Sequence, residues 1–157
     1  YEGNVRESLL RYKFQESPGY AAPYGEMLAV CIRTELDGLW DLITWVPLSR
    51  RRLRERGYDQ ARLLAEETAK RLGTEAVRTL EKPVNTARQS ATGSREKRAA
   101  NISGAYRVPD PALVAGRRIL LIDDIVTTGA TLSEAARTLC TAGAAEVVCA
   151  ALATSPD

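Results

Sequence analysis

The chain has 157 residues, enough for one domain with a sizeable core. With 45% hydrophobic and 27% charged residues it reads as an ordinary soluble globular chain, not a disordered or fibrous one, and no apolar run reaches membrane-spanning length, the stretch from Ala142 to Ala153 being interrupted by Glu146. The net charge of +2 is unevenly spread: Arg50 to Arg56 carries five arginines against Glu55, and Lys82 to Arg98 carries Lys82, Arg88, Arg95, Lys97 and Arg98 against Glu96. Two such segments fit either a polyanion, such as pyrophosphate, nucleic acid or an acidic partner, or a pair of solvated loops.

In chain order, Val5, Leu9 and Tyr12 follow helical spacing, so residues 3–13 are expected to form a short amphipathic helix, broken at Pro18-Gly19. Pro23 suits the first turn of a second helix running to about Leu36, with Tyr24, Met27, Leu28 and Cys31 as its apolar stripe. Leu42 to Val46 is β-compatible and ends at Pro47, and the arginine-rich segment comes next. Ala61, Leu64, Ala65, Thr68 and Leu72 make the next helical face, with Asp59 as cap and Gly73 as stop. Ala76 to Leu80 is expected as a short strand. Residues 83–104 show neither helical nor strand period, which is unusual in a compact domain unless the segment is functional or mobile. Ala105 to Val108 is expected to return as a strand, Arg118 to Ile122 to be the central strand, residues 131–143 a helix facing inward through Leu132, Ala135, Ala136 and Leu139, and Val147 to Leu152 a final buried strand. Strands alternating with helices predict an α/β domain over 1–157 with a mostly parallel sheet.

Cys31, Cys140 and Cys149 form no C-x-x-C pair and are expected as buried small hydrophobes in a reducing cytoplasm. No secretory signal is visible. The chain opens on Tyr1 and not on Met, as a piece of a longer protein would. There is no His, which excludes a histidine general base and His-based metallohydrolysis. Neither a Gly-x-Gly-x-x-Gly nor a Gly-x-x-x-x-Gly-Lys-Ser/Thr pattern is present, so dinucleotide and P-loop nucleotide binding have no support.

The most informative segment is Ile119 to Thr131. Four apolar residues run into Asp123 and Asp124, then into a small hydroxyl-rich loop that opens a helix. Open α/β sheets bind ligands beyond the carboxyl ends of their strands. Thr127, Thr128, Gly129, Ala130 and Thr131 present successive backbone N–H groups suited to a phosphate. Asp123 and Asp124 repel phosphate but accept hydrogen bonds from a vicinal diol, and together these parts describe a ribose 5-phosphate. A plain surface turn between strand and helix has the same spacing.

Asp123-Asp124-Ile125-Val126-Thr127-Thr128-Gly129-Ala130-Thr131 resembles the signature of type I phosphoribosyltransferases, which use phosphoribosyl pyrophosphate. Tyr12-Lys13-Phe14, Val46-Pro47-Leu48, Arg56-Gly57-Tyr58-Asp59-Gln60-Ala61, Arg88-Gln89, Arg95, Arg98-Ala99-Ala100-Asn101 and Ala142-Gly143-Ala144 resemble the ComF family of phosphoribosyltransferase-like proteins, in order from about Tyr1 to Asp157. ComF proteins commonly begin with a cysteine-rich zinc-binding segment, and these cysteines offer no four-ligand zinc site.

The resemblance implies a type I phosphoribosyltransferase-like fold that binds phosphoribosyl pyrophosphate with Mg2+. It implies Asp123 and Asp124 on the ribose hydroxyls, near the metal only through ligand hydroxyls or water. Thr127 to Thr131 would hold the 5-phosphate, and Pro47, Leu48, Ser49 and Arg50 the pyrophosphate. Residues 83–104 would be a mobile lid bringing Arg88, Arg95 and Arg98 to the leaving group, with Gln89 and Asn101 also matching the ComF pattern. Tyr58 and Asp59 serve equally as core and cap, and Lys13 as a surface lysine. Enzymes that salvage 6-oxopurines usually carry Asp where Thr127 stands, which weighs against hypoxanthine or guanine as acceptor. Catalysis and ligand-dependent regulation both occur on this fold, and the acceptor is open because the base pocket of these enzymes comes from variable hood and lid segments. The implied setting is DNA uptake in natural competence or nucleotide metabolism, with single-stranded DNA, the competence machinery or a second copy of the chain as further partners.

Overall fold

The computed structural model describes residues 18–83 and 104–154. The expected helix 3–13 and most of the segment 83–104 lie outside them. The element order is helix α1 (Ala21–Glu35), strand β1 (Leu42–Trp45), helices α2 (Arg50–Arg56) and α3 (Gln60–Leu72), strand β2 (Arg118–Val126), helix α4 (Ala130–Thr141) and strand β3 (Glu146–Thr154). The three strands form one parallel sheet with β2 in the centre, Leu42 opposite Ile119 and Arg118 opposite Glu146. Parallel neighbours need long crossovers, and the helices supply them. The expected α/β fold with a parallel sheet is what the chain adopts.

Strand alternation sorts the core into two layers. Ile43, Trp45, Leu120 and Ile122 pack with α1 and α3 through Leu28, Ile32, Leu64 and Ala65. Leu42, Val46, Ile119 and Leu121 pack on the other face with Leu132, Ala135 and Leu139 of α4, and with Leu80, Tyr106 and Val114. Ile119 to Ile122 are wholly buried, which is why they read as a continuous apolar run.

Several expectations change. α1 buries Ala21, Tyr24, Gly25, Leu28, Ala29 and Ile32, so its inward face is rotated from the expected stripe, and Met27 and Cys31 point outward. All three cysteines are exposed, contrary to the expected burial. The arginine-rich segment is a helix, capped by Ser49, whose Oγ accepts from Arg52 N at 3.3 Å, and stopped by Gly57 at φ 78°. Residues 76–80 and 105–108 are not strands. Ala76 makes a single bridge to Ile43, and Glu81 one to Arg107. The first segment is held beside β1 by Val77 N on Ile43 O at 2.8 Å and by the Thr44–Thr79 hydroxyl contact at 2.8 Å. β3 is half-buried along its length, not a buried strand, because only β2 lies beside it among the described residues. Among those residues no helix is long and apolar enough to cross a membrane.

Candidate functional site

β1 stops opposite Ile122, where Val46 N makes its last ladder bond to Ile122 O at 2.9 Å. Pro47 has no N–H to continue the ladder, and the chain turns away into α2. β2 runs on through Asp123 to Val126 with β3 alone beside it. The gap between that extension and the loop after β1 is a cleft of about 220 Å³. Pro47, Leu48 and Ser49 line it from the loop, Arg52 and Arg56 from α2, Asp59 and Gln60 from the start of α3, and Lys82 and Tyr106 from the far side. Asp123 and Asp124 line it from β2, Thr127 from the loop after β2, and Thr131 from the start of α4.

The acidic pair lies inside β2, which the sequence reading ended at Ile122. Alternation along the strand sends the two carboxylates to opposite sides of the same cleft. Asp123 lies in the field of Lys82 and Tyr106, and Asp124 in that of Asp59. Each carboxylate accepts from the next backbone N–H along the chain, Asp123 from Asp124 N at 2.9 Å and Asp124 from Ile125 N at 2.8 Å. These bonds orient the pair across the mouth of the cleft.

The loop after β2 turns through Gly129 at φ 74°, a conformation that glycine adopts without strain, and α4 begins there with no side-chain cap. Among the described residues no side chain caps its first amides, apart from a long 3.4 Å contact of Ala130 N with Thr128 Oγ1, and such amides suit an incoming acceptor. Thr127 and Thr131 line the main cleft, and Gly129 lines a small hollow adjoining it. Thr128 and Ala130 line neither.

Opposite the acids, Arg52 and Arg56 stand one turn apart on α2 and face the cleft. Arg50, assigned to the pyrophosphate from sequence, begins α2 but does not line the cleft; Pro47, Leu48 and Ser49 do. Arg88, Arg95, Arg98, Gln89 and Asn101 lie outside the described residues. Asp59 both caps α3, through Arg62 N at 3.2 Å, and holds the loop after β1, through Leu48 N at 3.1 Å. Burial raises its carboxyl pKa above the ordinary value, the two N–H groups oppose that, and Asp124 adds to the rise.

Sequence reasoning missed Arg52, Arg56, Lys82 and Tyr106 as cleft residues. The i, i+4 spacing of Arg52 and Arg56 behind a Ser cap was the available signal for the first pair. Lys82 was marked only as a member of the second basic segment and nothing local marked Tyr106; the two are brought together across the segment between them.

No group of three or more His, Cys, Asp or Glu forms a metal cage among the described residues. The donor set suits magnesium, which keeps several waters and binds through one or two carboxylates plus substrate phosphates. Asp123 and Asp124 are the carboxylates available for that at the mouth of the cleft.

The profile of the Phosphoribosyl transferase domain family matches residues 59–157, which include Asp59, the acidic pair and the loop that opens α4. The chain is 37% identical over 110 residues to the DNA utilization protein YhgH of Escherichia coli O6:H1, covering 68% of this chain and 46% of that protein. It is 30% identical over 148 residues to competence protein ComFC of Bacillus subtilis, covering 94% of this chain and 58% of that one. The chain thus spans about half the length of these curated relatives. Adenine phosphoribosyltransferase from Thermoanaerobacter pseudethanolicus superposes with a TM-score of 0.55 at 22% identity, over 90% of this chain and 70% of that one, a likeness of fold.

Proposed function

This chain belongs to the phosphoribosyl transferase domain family, as a ComF-type member, and we propose that its cleft binds phosphoribosyl pyrophosphate as a magnesium complex. The observation that carries the reading is the convergence, on one cleft, of two strand-borne carboxylates, an uncapped helix start and a pair of arginines. A diol needs acceptors, a 5-phosphate needs backbone donors, and a pyrophosphate needs cations. Asp123 and Asp124 take the ribose hydroxyls, the loop Thr127 to Thr131 takes the 5-phosphate, and Arg52 and Arg56 with the Pro47 to Ser49 loop take the pyrophosphate. Bound magnesium supplies charge neutralisation of the pyrophosphate.

The reaction supported by this arrangement is displacement at the anomeric carbon. The bond from that carbon to the pyrophosphate oxygen breaks with its electron pair leaving on pyrophosphate, and a bond to the acceptor nucleophile forms. Positioning and electrostatics supply most of such catalysis, so the chain's lack of histidine is compatible with it. Arg88, Arg95 and Arg98 are assigned to the same leaving group by family resemblance. The cellular setting drawn from the relatives' names is the uptake or use of DNA.

Calorimetric titration with phosphoribosyl pyrophosphate and with inorganic phosphate, both with magnesium, tests the reading. Asp123→Asn and Asp124→Asn are each expected to weaken the sugar ligand by roughly 1.5–3 kcal/mol while leaving phosphate nearly unchanged. Equal weakening of both ligands would assign the carboxylates to folding or overall charge, and a wild-type chain that ignores the sugar ligand would end the proposal.

A second reading, contact with single-stranded nucleic acid, is favoured by one observation. α2 buries none of its residues and carries Arg50, Arg51 and Arg54 outside the cleft lining. Tyr58 is the only aromatic in or beside either basic segment, and stacking platforms for single strands use several.

A further inference from the structure

The two edges of the sheet are treated differently. The edge at β1 is covered by residues 76–80, with Val77 N on Ile43 O at 2.8 Å, whereas β2 is the only neighbour of β3 among the described residues. An open edge is a template for another strand, and proteins blunt it with Lys, Pro, a bulge or a very short strand. β3 has none of these. It is nine residues long, Glu146 is its only charged residue, and it contains no Pro. Its register with β2 keeps one offset from Arg118 opposite Glu146 to Val126 opposite Thr154, so no bulge bends the edge away.

Alternation decides which groups that edge offers. Ala145 N donates to Arg117 O at 2.9 Å, so the odd residues turn their backbone groups to β2 and the even ones turn theirs outward. Glu146, Val148, Ala150, Leu152 and Thr154 thus direct N–H and C=O groups to the open side. The set is symmetric about Ala150, the middle residue of the strand. A second β3 laid antiparallel about that point sets Ala150 opposite its own copy, Val148 opposite Leu152 and Glu146 opposite Thr154, and every outward group finds a partner. Each Glu146 then meets a neutral residue. A parallel copy would set Glu146 beside Glu146, a destabilising like-charge pair, and would not close.

Helix α1 extends the same surface. It crosses α3 at Gly25 and lies over the face of β3 that carries Val148, Ala150 and Leu152. Met27, two residues on from Gly25 and so on the opposite side of the helix, is 62% exposed, and Val30 is 57% exposed. A two-fold axis perpendicular to the sheet brings the α1 helices of both copies to one face, antiparallel and beside the junction.

We propose that the chain forms a two-fold symmetric homodimer by antiparallel pairing of β3 about Ala150, with the Met27 flank of α1 covering the junction. The cleft opens at the carboxyl ends of β1 and β2, so the two clefts lie at opposite ends of the joined sheet and both stay accessible. The dimer does not depend on what the cleft binds.

Sedimentation velocity over a dilution series tests the proposal, and the wild type is expected to be a dimer that dissociates on dilution. Ala150→Pro removes an N–H that points out of the sheet, so β3 keeps its bonds to β2, and the variant should weaken the dimer by about tenfold or more. Met27→Lys should also weaken it while leaving the far-ultraviolet circular dichroism unchanged, because that side chain is exposed in the single chain. The register has its own test. About the Ala150 axis, Ala151 stands opposite Cys149 of the second copy, with Cα atoms about 4.5 Å apart, within disulfide range. With Cys31→Ser and Cys140→Ser in place, Ala151→Cys should form a covalent dimer in oxidised glutathione, and adding Cys149→Ser should abolish it. A wild type that is monomeric at every concentration overturns the proposal, whether other residues of the chain cover the edge or none do. So does a dimer that neither Ala150→Pro nor Met27→Lys weakens, or a cross-link that survives Cys149→Ser.

Discussion

Asp59 holds amides from two elements, Arg62 N in α3 and Leu48 N in the loop after β1. Asp59→Ala removes the cap and leaves the Leu48 amide without its acceptor, so a cost of roughly 1–3 kcal/mol in urea unfolding is expected. The same carboxyl gives a pH signature. Its pKa in the folded chain is raised above 3.8, chiefly by burial. A raised carboxyl contributes stability that is fully present below the unfolded value and lost as pH rises through the folded value. Unfolding free energy of the wild type should therefore fall relative to Asp59→Asn as pH rises from about 3.8; a difference that stays constant as pH rises from there would mean the burial is relieved in solution. At this scale the sequence was informative where chemistry is local. Asp59 is legible as a cap and Asp123-Asp124 as strand-end acids. Their separation to opposite sides of the cleft was not legible, because it depends on β2 continuing to Val126, and Ile125 and Val126 belong by composition to either a strand or a turn.

Two contacts between elements set how the frame of the cleft is built. α1 crosses α3 at Gly25, where a Cβ would stand 2.7 Å from Glu67 Cβ and 3.0 Å from the Glu67 carbonyl carbon. Gly25→Ala gains helix propensity of about 1 kcal/mol, yet it must push the two helices apart, and overpacking costs roughly 1–3 kcal/mol. Lower stability by chemical denaturation is expected, and an unchanged or higher midpoint would show that the helices separate freely. At the end of the sheet away from the cleft, Asp41 accepts from Arg118 N at 2.9 Å and pairs with its guanidinium at 2.5 and 3.1 Å, joining the start of β1 to the start of β2. That pairing holds the Asp41 pKa at about 2, against an ordinary 3.8. A depressed carboxyl stabilises above its unfolded pKa and loses that contribution as pH falls through its folded one. Asp41→Asn should melt below the wild type at neutral pH, and the gap should close between about pH 3.8 and 2. α3 and α4 were legible from their spacing, as was the presence of α1, though not its inward face, since Met27 and Cys31 point outward. α2 was not, because it buries nothing and so has no apolar period; its only marks are the Ser49 cap, the Arg51–Glu55 pair and Gly57. The opposite error arose at 76–80 and 105–108, where Val77, Leu80, Ala105 and Tyr106 are apolar because they cover the sheet face, not because they extend it.

Over the whole molecule, the small net charge of +2 conceals an ordered separation. Asp123 and Asp124 line the cleft from β2, Asp59 from the start of α3, Arg52 and Arg56 from α2 and Lys82 from the far side, while the remaining arginines of α2 lie outside its lining. Charge counting along the sequence located the basic segment but could not divide it, since the division arises from helical spacing once α2 exists. Arg52 and Arg56 lie on the cleft side, and Arg50 and Arg54 are joined one turn apart outside its lining, Arg54 Nε donating to Arg50 O at 3.3 Å. The two pairs separate the two functional readings. Arg52→Ala with Arg56→Ala should weaken phosphoribosyl pyrophosphate by more than about tenfold, because each arginine contributes charged hydrogen bonds to phosphate oxygens. Arg50→Ala with Arg54→Ala should leave that affinity within about twofold, because solvated surface charges are screened over roughly 10 Å at 0.1 M salt. If the outer face meets single-stranded DNA, the outer double variant should flatten the dependence of log affinity on log salt by about 0.7 for each DNA phosphate that the variant leaves unneutralised. The cleft variant should change that slope less. Salt-independent or undetectable DNA binding by the wild type would remove the nucleic-acid reading from α2. Should altering the outer pair weaken phosphoribosyl pyrophosphate as much as altering the cleft pair, α2 would attract the ligand through its total charge, and the placement of the pyrophosphate between Arg52 and Arg56 would be wrong.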